Sequence, residues 1–398
     1  MPGSPEDRFY SGELEALQKA IQKEGLDGWF FCNFRHRDKI SDEILRISPE
    51  SSNSRYWFYA VPVNGEPLKI IHSVEPNALD LLPGTKTYYV SREDLLASLK
   101  PLTGKAWGVH YSEELAAISY LDAGIAAVLK GAGLKLVSAA ALIQRFCGLL
   151  DKNGMALHEK AAIHLYEIVK ITWDVIQKAY KDQKPIFEAD VRNLMIQEME
   201  KRQLVSDSNL IAAAGKNTGN PHFNFTDSGA QIMKGDVIQL DLWTKEKCKE
   251  AIFADISWVG VFDEKVPEEA EKLFAALVSA REGAVSYIES ERSAGRGLTG
   301  ASVDRKAREI ISSLGYKDGL KHRTGHGIDR EIHGSGVNID SIEFPDSRLL
   351  LEGSCFSLEP GLYFPDYGMR TEIDVYIRDG KPVISGHPFE RQFRLLSC

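Results

Sequence analysis

The chain is poor in cysteine and pairs none of it by spacing: Cys32, Cys147, Cys248, Cys355 and Cys398 are the five present in 398 residues, far apart and without a CxxC. That speaks against a disulfide framework or a zinc finger and suits the reduced thiols of a cytosolic protein. A surplus of positive charge is also missing, with 48 Lys and Arg against 57 Asp and Glu for a net charge of −9. Nucleic-acid binding draws on clustered Lys and Arg, so a small molecule or a peptide is the expected partner. No stretch reaches the roughly 18 uninterrupted apolar residues of a membrane span, and the opening "MPGSPEDRFYSGELEALQKA" carries acids and no apolar leader core. A cytoplasmic protein that does not engage membranes is therefore expected. Internal repeats and low-complexity tracts are absent as well. What is present is a globular composition, 43% hydrophobic and 26% charged, in a chain longer than one domain usually is.

Two patterns follow one another. Leu14, Leu17 and Ile21 recur at helical spacing, and "DGWFF", "RYWFYAVPV" and "LKIIHSV" read as short strands. "AWGVHYS", the Ala-rich run from Ala116 to Leu129 and "LKLVSAAALIQRFCGLL" continue the alternation to about Leu150, which predicts an α/β domain. "DKNGMALHE" reads as a junction, followed by a helix with Ile163, Tyr166, Val169, Trp173, Ile176 and Tyr180 on one face. Beyond it, Pro267 opens one helix and Gly315 closes another. "DVIQLDLWTKEKCKEAIFADISWVGVF" predicts a β-hairpin around a charged turn, and Asp379-Gly380 signals a second tight turn.

Four acids fall in strand-like stretches: Asp241 in "IQLDLW", Asp255 in "IFADISW", Glu359 in "FSLEPG" and Glu372 in "MRTEIDV". Strand interiors seldom keep a carboxylate without a partner, and any one of these acids alone is best explained as a paired charge. Together they call for something else. Asp241 and Asp255 lie on opposite arms of the hairpin at similar distances from its turn, where they could face each other. Four carboxylates in one pocket could not all stay ionised, whereas two divalent cations would neutralise them. His326, in "HRTGHGIDREIHG", supplies an imidazole to the set.

The set resembles the metallopeptidase family with the pita-bread fold, which includes methionine aminopeptidases, prolidases and aminopeptidase P along with the metal-free creatinases. The resemblance is strong from about Leu157 onward and loose before it. It implies an α/β creatinase-type N-terminal domain over residues 1–152 and an α+β pita-bread catalytic domain over 153–398. It places Asp241, Asp255, His326, Glu359 and Glu372 on the family's five metal-ligand positions, with Glu359 also relaying a proton. His333 falls where the family has a histidine that contacts the substrate and stabilises the transition state. His222, in "GNPHFNFTDSG", matches one that faces the substrate amide; His322 matches a supporting histidine and Arg370 an arginine of the Xaa-Pro branch. The implied reaction is hydrolysis of short peptides at Xaa-Pro bonds by water activated between two divalent ions. Carboxylates with one imidazole suit Mn²⁺, and Zn²⁺, Co²⁺ and Fe²⁺ are chemically compatible. A homodimer is implied too.

Two departures stand out. The aspartates are about three residues further apart than is usual in the family, because "TKEKCKE" lengthens the turn, and an odd-numbered change alters strand pairing unless it is absorbed. Asp329 stands where a glycine is common, and its charge is expected to narrow or polarise the pocket. Two other functions compete with Xaa-Pro hydrolysis. One is cleavage of a non-peptide C–N bond, as in creatinases and ectoine hydrolases; the other is a binding role on a retained fold. The intact ligand set argues against the metal-free creatinases and against relatives that have lost ligands, and the long N-terminal half argues against a methionine aminopeptidase.

Overall fold

The computed structural model describes residues 11–386, 390–391 and 393–395. Cys398 lies outside them, and the four described cysteines are free. The chain divides into two compact units, Met1–Cys147 and Gly148–Cys398.

The first unit is built on a six-stranded sheet in the order Thr85–Tyr89, Leu68–His72, Trp57–Pro62, Gly28–Asn33, Ala106–Val109 and Lys135–Ser138. Both faces of its centre are covered, so the middle strands read as continuous apolar runs whose residues alternate between two cores. Trp29, Phe31, Tyr59 and Val61 enter one core; Phe30, Phe58 and Ala60 enter the other. The Ala-rich run is less helical than its composition suggests. It holds a single turn, Ala116–Ile118, and a helix, Ala123–Gly131, which starts where the Asp122 carboxylate accepts the Ile125 N–H.

In the second unit the predicted junction is itself helical. Asp151 accepts the Gly154 N–H and opens a helix that runs from Lys152 to Lys181. Its buried stripe follows His158, Ala162, Leu165, Val169, Thr172 and Ile176. Ile163, expected in that stripe, is 48% exposed. Two residues ahead of Leu165 it projects from the far side of the helix. The helices Glu268–Ser293, with Pro267 as its N-cap, and Gly300–Ser313, followed by Gly315 at φ +89°, form as expected.

The hairpin forms with arms Val237–Glu246 and Ala254–Val261, joined by residues 247–253. Ile211–Ala214 pairs with the first arm and Arg394–Leu395 with the second. A three-stranded sheet, Cys355–Leu358, Ile373–Arg378 and Lys381–Ile384, and a short hairpin, Gly361–Phe364 with Tyr367–Arg370, complete the strands around the site. Asp379 and Gly380, at φ +51° and +75°, make the tight turn their sequence announces.

Candidate metal centre

Strand pairing decides where the two aspartates go. Asp241 is opposite Ser257 and Asp255 is opposite Trp243, so the acids do not face each other directly; they are diagonal neighbours. Opposed residues share a face of a sheet, as do residues two apart on one strand, so both carboxylates still project to the same side. The pairing from Ala254 to Val261 is unbroken, so the length of the turn has not broken the register of the arms. Glu359 and Glu372 differ from the expected strand interiors. Glu359 comes directly after Cys355–Leu358, and Glu372 lies in the two-residue link between Tyr367–Arg370 and Ile373–Arg378. The Glu372 N–H donates to the Ser257 carbonyl at 3.1 Å, fastening this segment to the second arm.

Ligand atoms of Asp255, His326 and Glu372, all buried, come within 4.8 Å of one another. His326 Nε2 lies 3.7 Å from Asp255 Oδ2 and 3.6 Å from Glu359 Oε1. Its other nitrogen, Nδ1, is 3.3 Å from the Gly327 carbonyl, which leaves Nε2 free to offer a lone pair to the cluster. Ser257 Oγ is 2.6 Å from Asp241 Oδ1 and 2.9 Å from Glu372 Oε2, tying a fourth acid to the group. Burial, followed by the charges of Asp241 and Glu359, pushes the Asp255 pKa well above the usual carboxylate range. Burial also raises Glu372, with Asp255 and Glu359 adding to it. Asp255 Oδ1 and Glu372 Oε1 are buried without a hydrogen-bond partner. Buried, unpartnered, mutually repelling carboxylates beside an imidazole are a donor set that fits a divalent cation.

Asp241 is served differently. Arg370 pairs with its Oδ2, and the same guanidinium donates to Ser257 Oγ at 3.1 Å and to the Tyr363 hydroxyl at 2.9 Å. Burial alone would lower the Arg370 pKa; Asp241, Tyr363 and Glu359 outweigh it and hold it well above normal. The relay continues to His322, whose Nε2 is 3.0 Å from the Tyr363 hydroxyl and whose Nδ1 is 2.6 Å from the Arg323 carbonyl. A carbonyl only accepts, so Nδ1 carries the proton and Nε2 accepts from Tyr363. Burial, with help from Arg370, lowers the His322 pKa to about 3. The His333 ring centre is 4.3 Å from that of His326, edge to face. The His326 charge and then burial lower its pKa to about 4, so His333 is a neutral imidazole at physiological pH. His222 is exposed on the loop after Pro221.

All nine residues singled out from the sequence line one cavity of about 610 Å³: Asp241, Asp255, His326, Glu359, Glu372, His222, His322, His333 and Arg370. Asp329 does not. It is buried, and its carboxylate turns back on its own loop to accept the N–H groups of Glu331 and Ser335, because a short acidic side chain satisfies local backbone donors readily. Sequence reasoning passed over Ser257, and put Asp374 on the strand face of Glu372 and Arg370 without giving it a role. Asp374 accepts the Asp255 N–H at 2.7 Å and so fixes the start of the second arm. Its place two residues after Glu372, and that of Ser257 two after Asp255, were the available signals.

Residues 160–379, more than half of the chain, match the model of metallopeptidase family M24, and the chain belongs to that family. A curated Xaa-Pro dipeptidase from Lactobacillus delbrueckii subsp. lactis is 30% identical over 184 residues, 46% of this chain and 46% of that protein. The chain thus spans about half the length of the curated relatives it matches first. Among solved structures, the dipeptidase PepE from Mycobacterium ulcerans is similar over 98% of this chain and 99% of its own, with a TM-score of 0.73 at 20% identity. The N-terminal domain of the FACT complex subunit SPT16 from Cicer arietinum is similar over 94% and 95%, with a TM-score of 0.67 at 11% identity. The fold expected from the sequence is borne out: an α/β first unit and an α+β pita-bread second unit.

Proposed function

We propose that the protein is a dinuclear metallopeptidase that hydrolyses short peptides at Xaa-Pro bonds, as a dipeptidase or an aminopeptidase. The observation that carries this reading is the cavity in which five ligand-type side chains meet three further histidines and Arg370. Asp241, Asp255, His326, Glu359 and Glu372 would hold two divalent ions, of which Mn²⁺ best suits four carboxylates and one imidazole. Bound there, such ions supply a water acidified to near neutral pH and a polarised scissile carbonyl. Glu359, half-buried beside His326, takes up the water's proton. Neutral His333 donates a hydrogen bond to the oxygen that gains charge, and His222 meets the substrate backbone from the open side. His322, Tyr363 and Arg370 keep Asp241 oriented. In this reading it works as a homodimer in the cytoplasm, as the family resemblance and the cysteine usage imply.

The test is to assay the purified, Mn²⁺-loaded protein against Xaa-Pro dipeptides, Xaa-Pro-Yaa peptides and creatine, with metal analysis and solution mass in parallel. Turnover of Xaa-Pro substrates with about two ions per chain is expected. Turnover of creatine alone, or full activity with a single ion, would overturn the assignment. A monomeric mass with full activity would remove the dimer from it.

A further inference from the structure

The loop from His326 to Ser335 carries two of the cavity's histidines, and its closure depends on one side chain outside the cavity. Asp329 Oδ1 accepts the Glu331 N–H at 2.9 Å and Oδ2 accepts the Ser335 N–H at 2.6 Å. The two donors bracket Ile332, His333 and Gly334. Gly334 N–H in turn donates to the Gly327 carbonyl at 2.8 Å. A Cβ at Gly334 would come within 2.6 Å of all three carboxylate atoms of Asp329, so glycine is what lets the carboxylate reach both donors.

The same residue is held from outside by the lengthened hairpin. The Phe253 N–H donates to the Asp329 carbonyl at 3.0 Å, and the Phe253 carbonyl lies 2.6 Å from Nδ1 of the buried His158. Ile252 and Phe253 belong to one apolar cluster with Ile328 and Ile332, the neighbours of Asp329 and His333. The added turn therefore forms a wall of packed side chains and fixed backbone groups against the histidine loop.

We propose that Asp329 is a positioning residue for His333, with residues 252–253 of the lengthened hairpin as its brace. The carboxylate fixes the short turn from which His333 projects, while His326 is held separately by the Ser357 hydroxyl, 3.0 Å from its N–H. Loss of Asp329 then loosens His333 and spares the metal ligands. The inference rests on the role given above to His333, and its test reads the loop both with and without substrate.

Steady-state kinetics on the best Xaa-Pro substrate, with bound metal measured in parallel, are compared for wild type, Asp329→Ala, His333→Ala and the double variant. Asp329→Ala is expected to lower kcat about 10- to 100-fold, the usual cost of losing an outer partner, with KM and metal content little changed. In the His333→Ala background it is expected to cost nothing further, because the group it positions is gone. An equal loss in both backgrounds, or wild-type kcat in the single variant, overturns the proposal. Hydrogen exchange at the Glu331 and Ser335 amides and the ring signals of His326 and His333 are followed in the same variants. Faster exchange with a changed His333 signal alone supports positioning even if no Xaa-Pro substrate is turned over, a result that counts only against the proposed function. Unchanged exchange and an unchanged His333 signal in Asp329→Ala sink the positioning role by themselves. Should Asp329→Ala fail to fold, Asp329→Asn, which keeps one acceptor oxygen, goes through the same measurements under the same criteria.

Discussion

Buried charge is handled in opposite ways around Asp38 in the first unit and in the cavity of the second. In the first, Asp38 accepts from the Ser41 N–H and hydroxyl and lies 2.7 Å from His110 Nδ1. Burial pushes the Asp38 pKa up, but His110 and the Ser41 donors outweigh it and the pKa ends below the usual value. Lys69, also buried, donates to the Leu82 carbonyl at 2.8 Å. In the second unit, Asp255, Glu372 and Asp374 each keep a carboxylate oxygen with no hydrogen-bond partner, and all three pKa values are driven well up by burial. Folding can afford a buried anion when the chain brings its partner along. Anions left open and crowded together point to a partner that comes from outside the chain. Burial alone does not mark Asp255 and Glu372 as functional; their open oxygens beside His326 do.

The difference can be broken from either side. In the first unit, Asp38→Asn removes the charged acceptor shared by Ser41 and the His110 ring and should lower stability by about 1–3 kcal/mol, read from a denaturant titration. A loss below about 1 kcal/mol would mean that the pair is no more than a solvated contact. The matching change in the second unit should have the opposite sign. Asp255→Asn removes one of several repelling buried charges, so in excess chelator the protein should gain on the order of 1 kcal/mol or more. Its divalent-ion affinity, measured by calorimetry, should fall by more than the roughly 10–100-fold typical of an outer partner. Destabilisation in chelator would show that the Asp255 carboxylate is paired after all.

A third test concerns pH. His322 has its folded pKa lowered from 6.5 to about 3, so the folded state binds fewer protons than the unfolded one between those values. The stability it contributes is complete above about pH 6.5 and is lost as pH falls towards 3, by up to about 1.4 kcal/mol per pH unit. His322→Gln should flatten that part of the stability profile relative to wild type. Superimposable profiles would contradict the buried, neutral state deduced from its bonds to Arg323 and Tyr363.

Period and residue type carried much of this into the sequence. The aromatic strands of the first unit, the hairpin and the Asp379-Gly380 turn follow from alternation and turn chemistry, which are local properties. Four carboxylates in apolar stretches and His326 among clustered histidines are unusual locally, before any contact is known; His222, His322, His333 and Arg370 were reached through the family resemblance. What stayed hidden depends on contacts across the chain. Ser257 is an ordinary strand serine until Asp241 and Glu372 are both found within 2.9 Å of it. Asp374 looks like one more strand acid until the Asp255 N–H is found against it. Asp329 differs for the reverse reason: its carboxylate accepts N–H groups of its own loop, and a charge beside a histidine motif need not face the histidines. The start of the long helix was misplaced because the Asp151 cap outweighs the Asn153-Gly154 pair that reads as a breaker.

The unbroken pairing of the hairpin also marks where this gene can gain or lose codons. Within either arm, one added residue would turn every side chain beyond it to the opposite face, and Asp241 or Asp255 would leave the cavity; two would restore the face but shift the aspartate along it. The connection 247–253 lies outside the paired residues, so no such parity rule acts on it directly. Glu359 and Glu372, just beyond strand ends, answer to the turns around them. One cavity is thus exposed to two kinds of inheritance: a reading frame of twos along the hairpin arms, and a looser constraint at the tip until the chain reaches Ile252 and Phe253, whose packing sets the limit.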